Sequence, residues 1–264
     1  MSTAWRRNRR LSLALMALLV ACGVSEKDEV AIGRQNAEQI SARLPIVSDP
    51  VIGEYVQQLG LSMARTTSRA DLDWRFHVVN SHEVNAFALP GGIIYVNRGL
   101  IERAERLDEL AGALGHEIGH VVQRHSVDQM KKARGANVAV GLTCTVINIC
   151  DNGLAQAAIQ VGGAALFAKY SRADELEADS VAVDIAVAAG IHPEGVPALF
   201  ERLLAERRAS PVAIETFFAS HPMEEDRIRE AERLIGAIDP SALRGLSRDM
   251  ESYGQFRARL AALP

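Results

Sequence analysis

The five residues His116-Glu117-Ile118-Gly119-His120 constrain this chain more than any other feature. They lie inside a run from Leu107 to about Met130 that reads as one long helix. In a helix, a spacing of four sets the two imidazoles about 40° apart on successive turns of one face. Two such nitrogens can bind one tetrahedral zinc ion. Glu117 falls about 60° beyond His120 on the same wheel, where its carboxylate can take a proton from a metal-bound water. Zinc lowers the pKa of that water to about 7, so hydroxide becomes available at neutral pH. The plain alternative is a surface helix carrying two solvated histidines.

The glycines around the pair weigh against that alternative. Gly112, Gly115 and Gly119 fall at about −40°, −100° and −60° on the wheel, beside His116. Each costs about 1 kcal/mol in a helix interior relative to alanine. Such a strip makes sense if another element must approach that face closely. Ile118, Val121 and Val122 occupy the opposite side and are expected in the core. His125 falls about 180° from His116 on the continued wheel, which excludes it as a ligand and puts it at the surface.

A hydrolytic zinc needs a third protein ligand and one open position. The stretch Ser171-Arg172-Ala173-Asp174-Glu175-Leu176-Glu177-Ala178-Asp179 supplies two carboxylates four apart on one helical face, which Ala182 and Ala186 continue. That small-residue face suits a close approach to the glycine strip. Glu175 is the candidate third ligand, and Asp179 can accept the far N–H of a ligating histidine and so set its tautomer. The alternative is a solvated acidic helix start, which is the reading for Glu177.

Around these helices the pattern is mixed. Residues 25–43 and 49–67 read as amphipathic helices separated by Pro45 and by an Asp49-Pro50 stop. Residues 73–80 and 93–96 read as paired strands, and Asn97 is expected to cap the next helix. Helical patterns resume over 172–189, 194–208, 224–238 and 250–260. No internal repeat or long polar linker divides the chain, so a single mainly helical α+β domain with a small β-sheet beside the metal helix is expected over 22–264. Residues 136–168 carry Asp151 as their only charge and read as an insertion between the two metal-ligand helices.

Together, His116–His120, the Ser171-Arg172-x-x-Glu175-x-x-x-Asp179 box and Asn85-Ala86-Phe87-Ala88-Leu89-Pro90-Gly91-Gly92 resemble peptidase family M48 of the gluzincin metallopeptidases, over residues 26–238. The resemblance implies a zincin-like fold, one Zn2+ on His116, His120 and Glu175, Glu117 as general base, and Asp179 behind a ligating histidine. It also implies active-site roles for His221 and Arg227 in Ser220-His221-Pro222 and the helix that follows. There the histidine can occupy the fourth zinc position, and the arginine lies near the reacting carbonyl. By the residues alone, His221 is a loop histidine, since the position before proline is extended or in a turn. If it ligates at rest, the enzyme is latent; if it does not, His221 or Arg227 can stabilise the tetrahedral oxyanion.

Asn85, Ala86, Phe87 and Ala88 precede Pro90-Gly91-Gly92, which keeps one side of this segment out of a sheet interior. An open edge there can accept an extended peptide through main-chain hydrogen bonds. A hairpin turn without a ligand is the alternative.

The N-terminus carries Arg6, Arg7, Arg9 and Arg10, then an apolar run from Leu11 to Ala21 that ends at Cys22. A basic end followed by about 7–15 apolar residues is a secretory signal, and Leu19-Val20-Ala21-Cys22 resembles the bacterial lipobox. Residues 1–21 are expected to be removed and Cys22 to be lipidated, taking the formal charge from −4 to −8 with the loss of four arginines. Gly23 in place of an aspartate favours the outer membrane. The alternatives are a plain signal peptide or an uncleaved inner-membrane anchor. In an oxidising periplasm Cys144 and Cys150 are expected to pair, which requires a break in any helix between them. A buried helix pair and thiolate metal ligands are the other readings of that segment.

The weak negative charge argues against nucleic acid as a partner. The functional expectation is a zinc endopeptidase acting on misfolded or unassembled envelope proteins. A chaperone-like assembly lipoprotein, which binds clients and cleaves rarely, is the second class.

Overall fold

A computed structural model of the chain describes residues 24–135, 169–209, 214–222 and 225–264. The expected signal segment, Cys22, Cys144, Cys150 and the 136–168 segment lie outside the described residues. The first helix, α1 (Glu26–Ser41), starts at Ser25, whose hydroxyl accepts from Asp28 N–H. Helix α2 (Pro50–Ala64) follows. Here the sequence reading is corrected in sense: Asp49-Pro50 starts this helix as well as separating it from the last. The Asp49 side chain accepts from the N–H groups of Val51 and Ile52, and Pro50 takes the first-turn position that lacks a useful donor.

Three strands form the sheet: β1 (Arg75–Val79), β2 (Ala86–Leu89) and β3 (Ile93–Asn97). The order is β1-β3-β2, with β1 parallel and β2 antiparallel to β3. The β2–β3 turn depends on Gly91 and Gly92, whose φ angles of 81° and 94° are costly for a residue with a Cβ. Alternate side chains point to opposite faces. Phe76, Val78, Ala86, Ala88, Ile94 and Val96 join the main core, while Phe87, Leu89, Ile93 and Tyr95 pack with Ile40 of α1. The sheet is therefore covered on both faces, and β2 is one of its two edge strands.

Helix α3 (Arg98–Arg103) follows β3. Asn97 occupies its N-cap position but makes no side-chain cap bond, so the expected cap is a matter of position only. Helix α4 (Leu107–Val122) carries the histidine pair and is buried along almost its whole length. It is shorter than expected. Arg124 has φ 60°, a left-handed conformation that ends the helix, and a separate α5 (His125–Gly135) sets out in a new direction. Beyond the uncharacterised stretch come α6 (Arg172–Ala188) and α7 (Gly195–Ala209), then α8 (Glu215–Ser220), α9 (Glu225–Gly236), α10 (Pro240–Leu243) and α11 (Glu251–Ala261). The bounds of α6, α7, α9 and α11 lie within two residues of the sequence expectation, while α8 and α10 were not expected. The architecture is α+β, mainly helical, with the small sheet against α4.

The glycine strip explains why α4 and α6 lie so close. A Cβ on Gly119 would sit 2.7 Å from the Ala178 carbonyl oxygen, and one on Gly115 would sit 3.3 Å from Ala182 Cα. Helix α6 thus lies against the strip with its small-residue face, as the pattern implied. Gly112 differs: its open side receives Val196 of α7, 2.9 Å from the Cβ position. Ser171 starts α6 with a reciprocal capping box to Asp174, which sets the first turn and hence Glu175 one residue later.

Candidate metal centre

The close helix crossing brings four potential donors together. His116 and His120 from α4, Glu175 from α6 and His221 at the end of α8 each offer a ligand atom, and these atoms lie within 4.8 Å of one another. The Nε2 atoms of His116 and His120 are 3.0 Å apart. Glu175 Oε2 is 3.5 Å from His116 Nε2, and Glu175 Oε1 is 3.5 Å from His120 Nε2. His221 Nδ1 lies 3.2 Å from both His116 Nε2 and Glu175 Oε1. Donors on one tetrahedral zinc are separated by about 3.3 Å, given zinc–nitrogen bonds of about 2.0–2.1 Å. The donor set of imidazole and carboxylate is the one zinc takes.

Glu175 Oε2 is buried and its charge is met by the Arg227 guanidinium. One further observation fits a cation here: the Nδ1 of His116 is 2.8 Å from Asp179 Oδ1. A carboxylate accepts only, so the proton resides on Nδ1 and the Nε2 lone pair is turned to the cluster.

Glu117 is buried, and its Oε1 is 3.5 Å from His221 Nε2. Burial pushes its pKa up, more than the nearby His221 and His116 pull it down. Burial drives the pKa of His120 well below the ordinary imidazole value, with the charges on His116 and His221 adding to the effect. Its ring is therefore held neutral, the form in which a histidine ligates. Asp179 experiences burial too, but the Arg227 guanidinium outweighs it and holds the carboxyl below its usual range.

His221 terminates α8, donating its N–H to Phe217 O over 2.9 Å and stacking its ring on Phe217. The preceding Ser220 carbonyl accepts from Tyr170 N–H, which ties this turn to the start of α6. Arg227 enters from α9 and is fully buried. Its place differs from the one the resemblance implies. Nε and Nη2 donate to the two oxygens of Asp179, each over 2.7 Å, and Nη1 donates to Pro222 O over 3.1 Å. The guanidinium also lies 4.8 Å over the Phe200 ring. In this arrangement it braces the carboxylates of Asp179 and Glu175.

Ala86, Phe87 and Ala88 form most of the edge strand β2, with buried side chains. Asn85 just precedes it, and its Oδ1 is buried without a hydrogen-bond partner. Edge position and burial thus coexist: the strand's side chains are covered.

Two residues at the site were not foreseen. Tyr170 stacks on His120 at 3.9 Å and 19°, and its hydroxyl is 3.1 Å from Ser126 Oγ. Its place directly before the capping Ser171 was the only hint in the sequence. His125, expected at the surface, is buried with its Nδ1 2.8 Å from His120 Nδ1. The helical wheel failed because it was continued through Arg124, where the helix ends. The exclusion of His125 from the donor set stands, since it lies on the far side of the His120 ring.

A helical HExxH pair, a carboxylate from a second helix and an edge strand beside them define a metallopeptidase. The sequence model for peptidase family M48 matches residues 52–235, and the chain belongs to that family. Among its relatives are the beta-barrel assembly-enhancing protease of Escherichia coli (strain K12), 27% identical over 224 residues, which covers 80% of this chain and 45% of that protein. The mitochondrial metalloendopeptidase OMA1 of Schizosaccharomyces pombe is 30% identical over 181 residues, 69% of this chain and 52% of the other. The metalloprotease YcaL of Escherichia coli (strain K12) is 27% identical over 232 residues, 87% and 88% of the two chains. The chain spans about half the length of the beta-barrel assembly-enhancing proteases it matches.

Proposed function

We propose that the chain is a zinc-dependent endopeptidase of the bacterial cell envelope that cleaves misfolded or unassembled polypeptides. The observation that carries this reading is the buried convergence of His116, His120 and Glu175, with Glu117 on the same helix turn. His116 and His120 would hold the metal through Nε2, and Glu175 through its carboxylate. When bound, zinc supplies a Lewis acid that polarises the scissile carbonyl and lowers the pKa of water. Glu117 takes the proton of the attacking water and returns it to the leaving amine; its raised pKa suits that exchange. Asp179 holds the His116 tautomer, and Arg227 holds Asp179 and Glu175. The edge of β2 takes an extended peptide through its main chain, which suits a protease that reads unfolded chain more than sequence.

His221 Nδ1 lies 3.2 Å from both His116 Nε2 and Glu175 Oε1, which supports a resting enzyme that is latent until His221 moves. The lipobox-like Leu19–Cys22 supports a chain cleaved after residue 21, lipidated at Cys22 and held at the outer membrane, with residues 22–264 as one catalytic domain. No helix among the described residues is long and apolar enough to cross a membrane. A relative named for enhancing β-barrel assembly supports envelope proteins as the substrate class. The same His221 placement also favours a second reading, a client-binding assembly factor that cleaves rarely.

Casein digestion with and without a chelator, for wild type, Glu117→Gln and His221→Ala, separates these readings. Chelator-sensitive cleavage lost in Glu117→Gln supports the peptidase. Client binding with no cleavage even in His221→Ala supports the second. Mass analysis of the mature N-terminus tests the anchor, through a diacylglyceryl group on Cys22.

A further inference from the structure

The two histidines of the metal pair are held in different ways. His116 Nδ1 meets a buried carboxylate, Asp179. His120 Nδ1 meets another imidazole, His125 Nδ1, at 2.8 Å. Of two facing ring nitrogens, one must carry the proton and the other the lone pair. His120 turns Nε2 to the donor cluster, 3.0 Å from His116 Nε2. An Nε2 that ligates is unprotonated, so His120 carries its proton on Nδ1 and His125 Nδ1 accepts it. His125 then bears its own proton on Nε2, which is 3.3 Å from Glu177 Oε2. Each ring has a single tautomer that satisfies the chain from Glu177 through His125 to His120.

We infer that His125 is a positioning residue for the metal, accepting from His120 Nδ1–H and so directing the His120 Nε2 lone pair at the ion, with Glu177 orienting His125 in turn. This inference rests on the metallopeptidase reading and deepens it. The backbone is built for the contact. Arg124, at φ 60°, ends α4 and folds His125 back along His120 instead of letting it continue around the wheel. That unusual conformation is secured from outside: Arg124 Nε donates to the buried Glu29 over 2.8 Å, and its Nη2 donates to Val24 O over 2.8 Å. Tyr170 covers the flat face of His120 and bonds Ser126, next to His125, which keeps water from replacing the imidazole acceptor.

Outer-shell partners of ligating histidines are worth about 10–100-fold in metal affinity. The test measures zinc affinity by competition with a chromophoric chelator, and the visible spectrum of the cobalt-loaded protein, for wild type, His125→Leu, His125→Asn and Glu177→Gln. His125→Leu fills the space and removes the acceptor; His125→Asn keeps an oxygen near the Nδ1 position. The expected result is a 10–100-fold loss of zinc affinity and an altered cobalt spectrum in His125→Leu. Wild-type behaviour returns to within several-fold in His125→Asn, and Glu177→Gln gives a smaller loss. Thermal melts of the metal-free proteins show whether the fold survives; if His125→Leu unfolds, wild-type zinc affinity and cobalt spectrum in Glu177→Gln overturn the inference, and a loss there supports it. Wild-type affinity and spectrum in His125→Leu overturn the inference while leaving the peptidase reading intact. A wild-type protein that binds no zinc overturns both.

Discussion

Arg227 grips Asp179 with two parallel hydrogen bonds, Nε to Oδ2 and Nη2 to Oδ1, both 2.7 Å long and fully buried. Asp179 in turn accepts from His116, so α9, α6 and α4 meet in one chain of charge and hydrogen bond. Removing one member of a buried pair leaves the other uncompensated, at a cost of about 3–5 kcal/mol. Arg227→Ala is expected to destabilise the metal-free protein by that amount in urea unfolding. Arg227→Lys keeps the charge, loses the planar fork and should fall between. Wild-type stability in Arg227→Ala would show that the fork is not structural.

Glu117→Gln is expected to bind zinc with near wild-type affinity and to lose cleavage by about 10²–10⁴-fold, the usual worth of a positioned general base. Peptide turnover measured beside metal content checks this. A loss of zinc in parallel with activity would assign Glu117 to metal binding instead.

His221→Ala should raise the rate of casein cleavage, because the imidazole that stands among the donors is gone. A fall in rate at constant zinc content would instead make His221 a donor to the developing oxyanion.

The glycine strip gives an ordering. In Gly119→Ala the new methyl meets backbone, 2.7 Å from the Ala178 carbonyl oxygen and 2.8 Å from its Cα. Overpacking of this kind costs about 1–3 kcal/mol and pushes Glu175 away from the histidines. In Gly115→Ala the nearest atom is the flexible Met63 Cε at 3.0 Å. The gain in helix propensity, about 1 kcal/mol, offsets much of that contact. Zinc affinity and melting temperature should therefore fall further in Gly119→Ala; equal behaviour of the two variants would contradict a close α4–α6 crossing.

Zinc at about 100 times its dissociation constant stabilises the fold by about 2.7 kcal/mol. For a domain of this size that is a shift of about 5–10 °C in Tm, removed by chelator and restored by metal. Melting curves that ignore the chelator would argue against a bound ion.

Local chemistry was written along the chain. The HExxH spacing, the carboxylates four apart, the glycines beside them and the caps at Ser171 and Asp49 depend on a few neighbouring residues and one helical period, so most of the long helices and the candidates His116, His120 and Glu175 were legible before the fold, whereas His221 entered only through the family resemblance. The α+β class followed from the same periodicities. Other features were not local. His125 lies five residues from His120, yet its burial depends on Arg124 adopting a left-handed conformation, held there by Glu29 from a helix 95 residues away. The place of Arg227 was decided by the carboxylates of α6, which pair with its guanidinium. Tyr170 and Phe200 became part of the site only because α6 and α7 pack on α4. Periodicity tells which face of a helix is apolar; which partner fills it, and which buried charge finds which, is settled by all the elements packing at once.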